Sequence, residues 1–385
     1  MAGGDPVIYL DAAATTLQKP PGVRQAVFRA MERCGSVGRG GHAAAVAAME
    51  TVHSCRQLAA ELFDAEPEQV VFTANATHGL NLAIFSLVPP KGSVLISGFE
   101  HNAVTRPLYR LGAGITVAGR KLFAPEDTLT AFSEALSHGT FHAVICTQVS
   151  NVFGYILPVE EIASLCRRYG VPLIIDASQG AGLLPLSLRK SGAAFIAMPG
   201  HKGLYGPQGT GLLLCGREAS PLLYGGTGGN SLQQEMPEFL PDRLEAGTHN
   251  VCGIAGLREG LRFVRSHGET TLLRREQKLL RLLLPELQKL GLHCFTGKQQ
   301  SGVLSFLPKQ DSCEEAAEKL ARHGIALRAG LHCAPLAHES AGTLPNGTLR
   351  LSFSAMNTAR DAEAFVKVCE IIFQKNGKSR NTPCY

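Results

Sequence analysis

The stretch "AAFIAMPGHKGLYGPQGTGLLLC", residues 193–215, holds two short apolar runs joined by a turn of glycine, proline and histidine that contains a single lysine, Lys202. Apolar runs of this length bounded by Gly and Pro read as buried strands. A lysine free to sit in water stands instead at the end of one of them. Two readings compete: a solvated amine in a surface turn, or an amine whose pKa is lowered by apolar neighbours, as an amine that attacks a carbonyl requires.

Working outward, the same kind of run recurs at "QVVFT", "SVLIS", "GITVAG", "HAVICTQV" and "VPLIID", several of them separated by helical patterns such as "VEEIASLCRRYG". This alternation predicts an α/β fold with a mostly parallel sheet wrapped by helices. Ligands on such sheets bind at the carboxyl ends of the strands, so the residues just after each run carry the interest. Ahead of the sheet, "PPGVRQAVFRAMERCG" reads as a helix with a Pro start and a Gly stop, and "AAAVAAMETVHSCRQLAAELF" as a second helix.

From about residue 255 the pattern changes to one long charged helical region, "LREGLRFVRSHGETTLLRREQKLLRLLLPELQKLG". Separated strands "GVLSFLP", "GIALRAG" and "TLRLSFS" follow, which reads as a smaller α+β unit. The expected organisation is an N-terminal segment 1–20, a large α/β domain 21–255 and a small α+β domain 256–385. A chain of 385 residues favours two such units.

Composition narrows the class. A hydrophobic content of 45% with 18% charged residues is that of an ordinary globular chain. The net charge of +5 is scattered rather than gathered into a basic face, so nucleic-acid binding has no support. No apolar run reaches the roughly 18 residues a membrane helix needs, and a cytoplasmic protein without membrane contact is the expectation. Eleven cysteines run from Cys34 to Cys384 with no CxxC pair, so most should be reduced and structural, and no metal site is expected.

The strand ends carry the chemistry. After "VVFT", the turn "ANATHG", with Asn75 and Thr77, opens a helix; its small polar residues serve as caps, and its free N–H groups offer an anion site. After "VPLII", Asp176 ends a strand and must find a partner, and Gln179 follows it on the same turn. His101 lies in the loop after "SVLIS", where a structural and a catalytic role are both open. A lysine, an anion-ready helix start, an acid and a histidine form the set that pyridoxal phosphate needs. "GPQGTG" precedes a strand rather than opening a helix, which rejects a dinucleotide reading.

Here the chain resembles the class V aminotransferase-fold enzymes, and among them the cysteine desulfurases of the SufS type. The motifs are "ANATHGLNLAI", "EHNAVTRPL", "VSNVFG", "DASQGAG", "GHKGLYGPQGTG", "RLEAGTHN" and "RAGLHCAP", and the likeness runs from "YLDAAATTLQKP" to "LRLSFSAMNT". It implies a PLP-dependent transferase of fold type I with a seven-stranded, mostly parallel sheet. The N-terminal segment would contribute to the active site, and the small domain would carry the catalytic cysteine loop.

The resemblance also implies roles. Lys202 carries the pyridoxal phosphate, Asp176 pairs with its ring nitrogen, Gln179 reaches its ring hydroxyl and His101 stacks on the ring and moves protons. Ala76, Thr77 and His201 hold the phosphate, and Thr248 reaches the phosphate of a second subunit, which implies a homodimer. Arg350 clamps the substrate carboxylate with Asn151 assisting, Asn151 being also among the cofactor-binding residues, and Ala13 and Arg328 complete the substrate site. Cys333 takes sulfur from L-cysteine as a persulfide, with His332 and Arg328 raising its thiolate fraction.

The short step from Arg328 to Cys333 implies an ordered loop, and hence a sulfur-acceptor protein or small thiol that comes to the site. Ala12 and Gly203 depart from the family pattern and bear on whether L-selenocysteine is preferred. A selenocysteine lyase, a β-lyase or an aminotransferase on the same fold are the alternatives. A non-catalytic thiol scaffold lacks any metal-ligand spacing to support it.

Overall fold

The seven apolar runs of the first two-thirds all become strands of one sheet. The structure, a computed structural model, describes residues 7–38, 40–229 and 232–373. Strand β1 is Ile8–Tyr9. The central strands are β2 (Val70–Thr73), β3 (Ser93–Ser97), β4 (Gly114–Ala118), β5 (Ala143–Thr147), β6 (Leu173–Asp176), β7 (Phe195–Pro199) and β8 (Gly211–Cys215). Five more follow: β9 (His293–Phe295), β10 (Val303–Leu307), β11 (Ile325–Ala326), β12 (Arg328–Gly330) and β13 (Thr348–Ser352).

The large sheet runs β2-β8-β7-β6-β5-β3-β4. Only β8 is antiparallel to its neighbours; the other pairings are parallel, as the alternation predicts. Successive side chains alternate between its two faces. Val144, Cys146, Ile175 and Ile196 pack into one core, and Ala143, Ile145, Ile174 and Ala197 into the other. Burial on both faces explains why these strands read as continuous apolar runs rather than alternating ones. Each of the valine and isoleucine side chains among them contributes about 1.5–3 kcal/mol by leaving water.

The second unit is an antiparallel sheet in the order β12-β13-β10-β9. Its core joins Leu283 and Leu287 of the helix Glu269–Lys289 to Phe306 and to Phe365 of the helix Ala359–Phe373. The expected single long helical region is two helices, Val251–His267 and Glu269–Lys289, broken at Gly268, whose φ of 78° is left-handed. The first of them runs through the expected boundary at 255 and buries Ile254, Leu257 and Leu261 against the large sheet's core. The helix Pro21–Arg33 starts on its proline but ends on extended Cys34, one residue before the expected Gly35 stop.

The N-terminal segment is laid across the second unit. Strand β1 pairs in parallel with β11, Ile8 beside Ile325 and Tyr9 beside Ala326. Leu10 lies in the small unit's core, and Asp11 bridges to Ser352 at the end of β13. The chain then crosses to the large sheet, where Thr16 donates its N–H and its hydroxyl to the carbonyl of His201 at 3.1 and 3.0 Å.

Candidate active site

The carboxyl ends of β2, β3, β5, β6 and β7 open on one edge of the large sheet. Lys202 follows β7, and two neighbouring turns fix it there. A Cβ on Gly203 would overlap the carbonyl oxygen of Ala181, and one on Gly182, where φ is 84°, would overlap the carbonyl of Gly203. The turn "DASQGAG" and the turn "GHKGLYG" are therefore pressed backbone to backbone, a contact that only glycine permits. Gly182 and Gly203 together allow it.

Burial lowers the Lys202 pKa to about 8; the Arg350 charge adds to the effect, and Asp176 and Asp11 oppose it. Asp176, 2% exposed, accepts from the Ser178 N–H at 2.9 Å. His101 caps the helix Asn102–Arg110: its Nδ1 accepts from the Ala103 N–H at 3.0 Å, which leaves the ring proton on Nε2. Burial holds its pKa below the ordinary histidine value, with the Asp176 charge opposing. Gln179 donates through Nε2 to the Ala13 carbonyl at 2.9 Å, and the Ala13 N–H donates to the Ser352 hydroxyl at 2.8 Å. Both main-chain polar groups of Ala13 are thus engaged within the protein.

Ala76 and Thr77 form the first turn of the helix Ala76–Leu87, whose leading N–H groups have no partner within the helix. Asn75 supplies the cap, its side-chain oxygen accepting from the His78 N–H at 2.9 Å. His201 is half-buried, its Nδ1 lies 3.0 Å from the Thr15 hydroxyl, and burial lowers its pKa to about 4, so the ring is neutral. Thr248 is exposed ahead of the helix Val251–His267 and shares a cavity with Thr73, Ala74 and His78.

The small sheet presents the second half of the site. Arg350, on β13, is 2% exposed; it donates from Nη2 to Asp11 Oδ1 at 2.7 Å and from Nη1 to the Asn151 main-chain carbonyl at 3.0 Å. Its Nε is buried and unpaired. Arg328, on β12, pairs directly with Arg350 on β13 and reaches Asp11 Oδ2 at 3.2 Å.

Asn151 meets Arg350 through its main chain, and its Nδ2 donates to the His332 carbonyl at 2.8 Å. One expectation is corrected here. His332 does not charge the thiol beside it. Buried, with Nε2 donating to the Thr348 carbonyl at 3.1 Å, it has a pKa lowered to about 2 by burial and then by the Arg350 charge, so it is neutral. Arg328, the other expected activator, spends its charge on Asp11.

Cys333 itself is exposed. It and His332 are consecutive non-glycine residues in the left-handed region, with φ of 56° and 49°. Such a conformation costs on the order of 1–3 kcal/mol per residue and persists only where surroundings hold it. Here the Asn102 N–H donates to the Cys333 carbonyl at 2.7 Å, and Asn151 holds the His332 carbonyl. The cysteine is thus presented on a tethered turn between β12 and the helix Pro335–Ala341.

Two residues of the site escape a sequence reading. Asp11 is one, although the rule that a buried carboxylate needs a partner applies to it as it does to Asp176. The other is Glu100, fully buried beside His101, whose Oε1 accepts from the Ser97 hydroxyl and the Thr147 N–H. Burial pushes its pKa up to about 8.

The model of the family described as aminotransferase class-V matches residues 8–365. A probable cysteine desulfurase of Xylella fastidiosa (strain 9a5c) is 32% identical, over 94% of this chain and 90% of its own length. The apo cysteine desulfurase of Thermococcus onnurineus NA1 superposes with a TM-score of 0.89 at 29% identity, covering 96% of this chain and 95% of its own. The cysteine desulfurase CsdA of Escherichia coli gives 0.82 at 28% identity, with coverage of 96% and 95%. With a matched model over nearly the whole length and relatives of one kind, the chain belongs to the class-V aminotransferase family, on its cysteine desulfurase branch.

Proposed function

We propose that this protein binds pyridoxal phosphate and converts L-cysteine to L-alanine, passing the sulfur to Cys333. The observation that carries the reading is the convergence of an amine with a lowered pKa, a buried acid and a buried guanidinium whose charges both act on it, and an exposed thiol on the turn held beside His101. The residues present suit the cofactor: Lys202 as its covalent anchor, Asp176 opposite a ring nitrogen, the ring of His101 against its face, and the N–H groups of Ala76 and Thr77 with His201 toward a phosphate. Bound there, it supplies the electron sink that lets bonds at the substrate's Cα and Cβ break.

Each remaining step belongs to the chain. Arg350 holds the α-carboxylate, Nε being its unspent buried donor. Lys202, as a free amine, takes the Cα proton. The Cys333 thiolate attacks the substrate sulfur, an S–S bond forming as the Cβ–S bond breaks, and protons returned to the carbon skeleton give alanine. A tethered turn cannot carry sulfur outward, so the exposed persulfide would be met by an acceptor protein or small thiol. A homodimer, with Thr248 of each copy at the other's phosphate, is part of the same reading, in keeping with that residue's exposure.

The test is product analysis with pyridoxal phosphate, L-cysteine and a reducing thiol such as dithiothreitol, which is oxidised to its disulfide as it releases the persulfide sulfur as sulfide. Alanine in step with sulfide is expected, and Cys333→Ala should keep the cofactor absorbance while losing both. Pyruvate in place of alanine, or full desulfuration by the variant, would overturn the assignment.

A further inference from the structure

Arg350 and Arg328 face each other directly across β12 and β13, a placement in which two like charges repel. Asp11 lies between them with one oxygen for each: Oδ1 takes Arg350 Nη2 at 2.7 Å, and Oδ2 takes Arg328 Nε and Nη2, both at 3.2 Å. The carboxylate comes from the far N-terminal segment and is itself mostly buried. Its main-chain carbonyl is held by the Tyr9 hydroxyl at 3.1 Å and the Ala14 N–H at 3.0 Å, so the group is fixed in place.

The three charges sum to one positive charge. One α-carboxylate neutralises it, and a second anionic group on the same ligand meets Asp11 with no net positive charge left among the three. We propose that Asp11 is a positioning and specificity-determining residue that bridges Arg350 and Arg328, so that the site takes amino acids with one carboxylate and disfavours those with a second anionic group on the side chain. The inference rests on the reading of Arg350 as the carboxylate clamp. It adds what sets the clamp's charge and aim.

The test uses the cofactor-loaded protein and two ligands, L-alanine and L-aspartate, with half-saturation read from thermal stabilisation. The parent should favour L-alanine. Asp11→Asn, which keeps one hydrogen-bond acceptor and removes the charge, should shift the ratio toward L-aspartate by about tenfold or more, the scale of one charge beside a half-buried anion site. Arg328→Gln, on the half-exposed partner, removes the spare positive charge and should weaken L-alanine by a similar factor.

The double variant Asp11→Asn with Arg328→Gln restores a single positive charge, and its ratio should return toward the parent's. A purely structural role for Asp11 predicts additive losses and no such return. An unchanged ratio in folded Asp11→Asn, or unchanged L-alanine binding in Arg328→Gln, overturns the proposal; should Asp11→Asn not fold, Arg328→Gln and the double variant decide. Arg350→Gln separates the two readings: if it leaves L-alanine binding intact the clamp itself is wrong, whatever Asp11 does.

Discussion

Asn151 joins Arg350 to the cysteine turn: its carbonyl accepts from the guanidinium at 3.0 Å while its amide donates to His332 at 2.8 Å. The guanidinium proposed to bind the carboxylate and the turn that presents a thiol therefore share one buried residue. Asn151→Ala removes the side-chain tie and leaves the main-chain one. The His332 carbonyl then loses its partner, at a cost of about 1–3 kcal/mol borne mostly by the strained turn. In steady-state alanine formation kcat should fall well below the parent's while KM for L-cysteine changes little. A rise in KM with kcat intact would show that the side chain serves the carboxylate after all.

The lowered Lys202 pKa sets a pH dependence for cofactor capture. An amine with a pKa of about 8 is mostly neutral above that pH and mostly protonated below it. The rate at which cofactor-free protein takes up pyridoxal phosphate, followed by absorbance, should climb through about pH 8 rather than near the ordinary lysine value. Lys202→Ala should show neither the absorbance change nor turnover.

Glu100 makes a prediction of the opposite sign. Its pKa is raised to about 8 by burial, so between the ordinary carboxylate range and pH 8 the folded protein holds a proton that the unfolded chain releases. The stability it lends is full at low pH and lost as pH rises through that window. Glu100→Gln keeps an acceptor for Ser97 and Thr147 and has no proton to lose. The difference in Tm between variant and parent should shift in the variant's favour from pH 5 to pH 8, and a difference constant with pH would refute the neutral-acid assignment.

Gly203→Ala tests the backbone contact between the lysine turn and the acid turn. The new Cβ meets the Ala181 carbonyl, and relief requires one turn to move, costing about 1–3 kcal/mol. Cofactor uptake should slow along with the drop in Tm, because Lys202 and Asp176 move apart. The same substitution at Gly170, where φ is positive but a Cβ meets nothing, is the control: strain there should lower Tm without touching uptake.

The large sheet was legible because its strands are buried on both faces and bounded by turn residues, so "AVICT" and "LIID" read plainly. The break at Gly268 was not, since apolar periodicity continues on both sides of it and only a left-handed φ marks the corner. Strand β1, two residues long, exists through its pairing with Ile325 and Ala326 and has no signal of its own. The site divides in the same way. Lys202, Asp176 and His101 sit at strand ends, where a rule points. Asp11 takes its meaning from arginines 317 and 339 residues away, and the conformation of His332 and Cys333 is one that their residue types do not announce.

The route of residues 8–16 carries a last consequence. This short length of chain is woven into the edge beside β11, then knotted to the lysine turn through Thr16 and the His201 carbonyl. It works as a tie rod between the unit that carries Arg350, which Leu10, Asp11 and Ala13 hold, and the turn that carries Lys202, which Thr16 holds. Any rocking of one against the other must stretch or slacken it, so a cut placed after Ala14 would sever this tie while leaving Arg350, Asp11 and Lys202 all present.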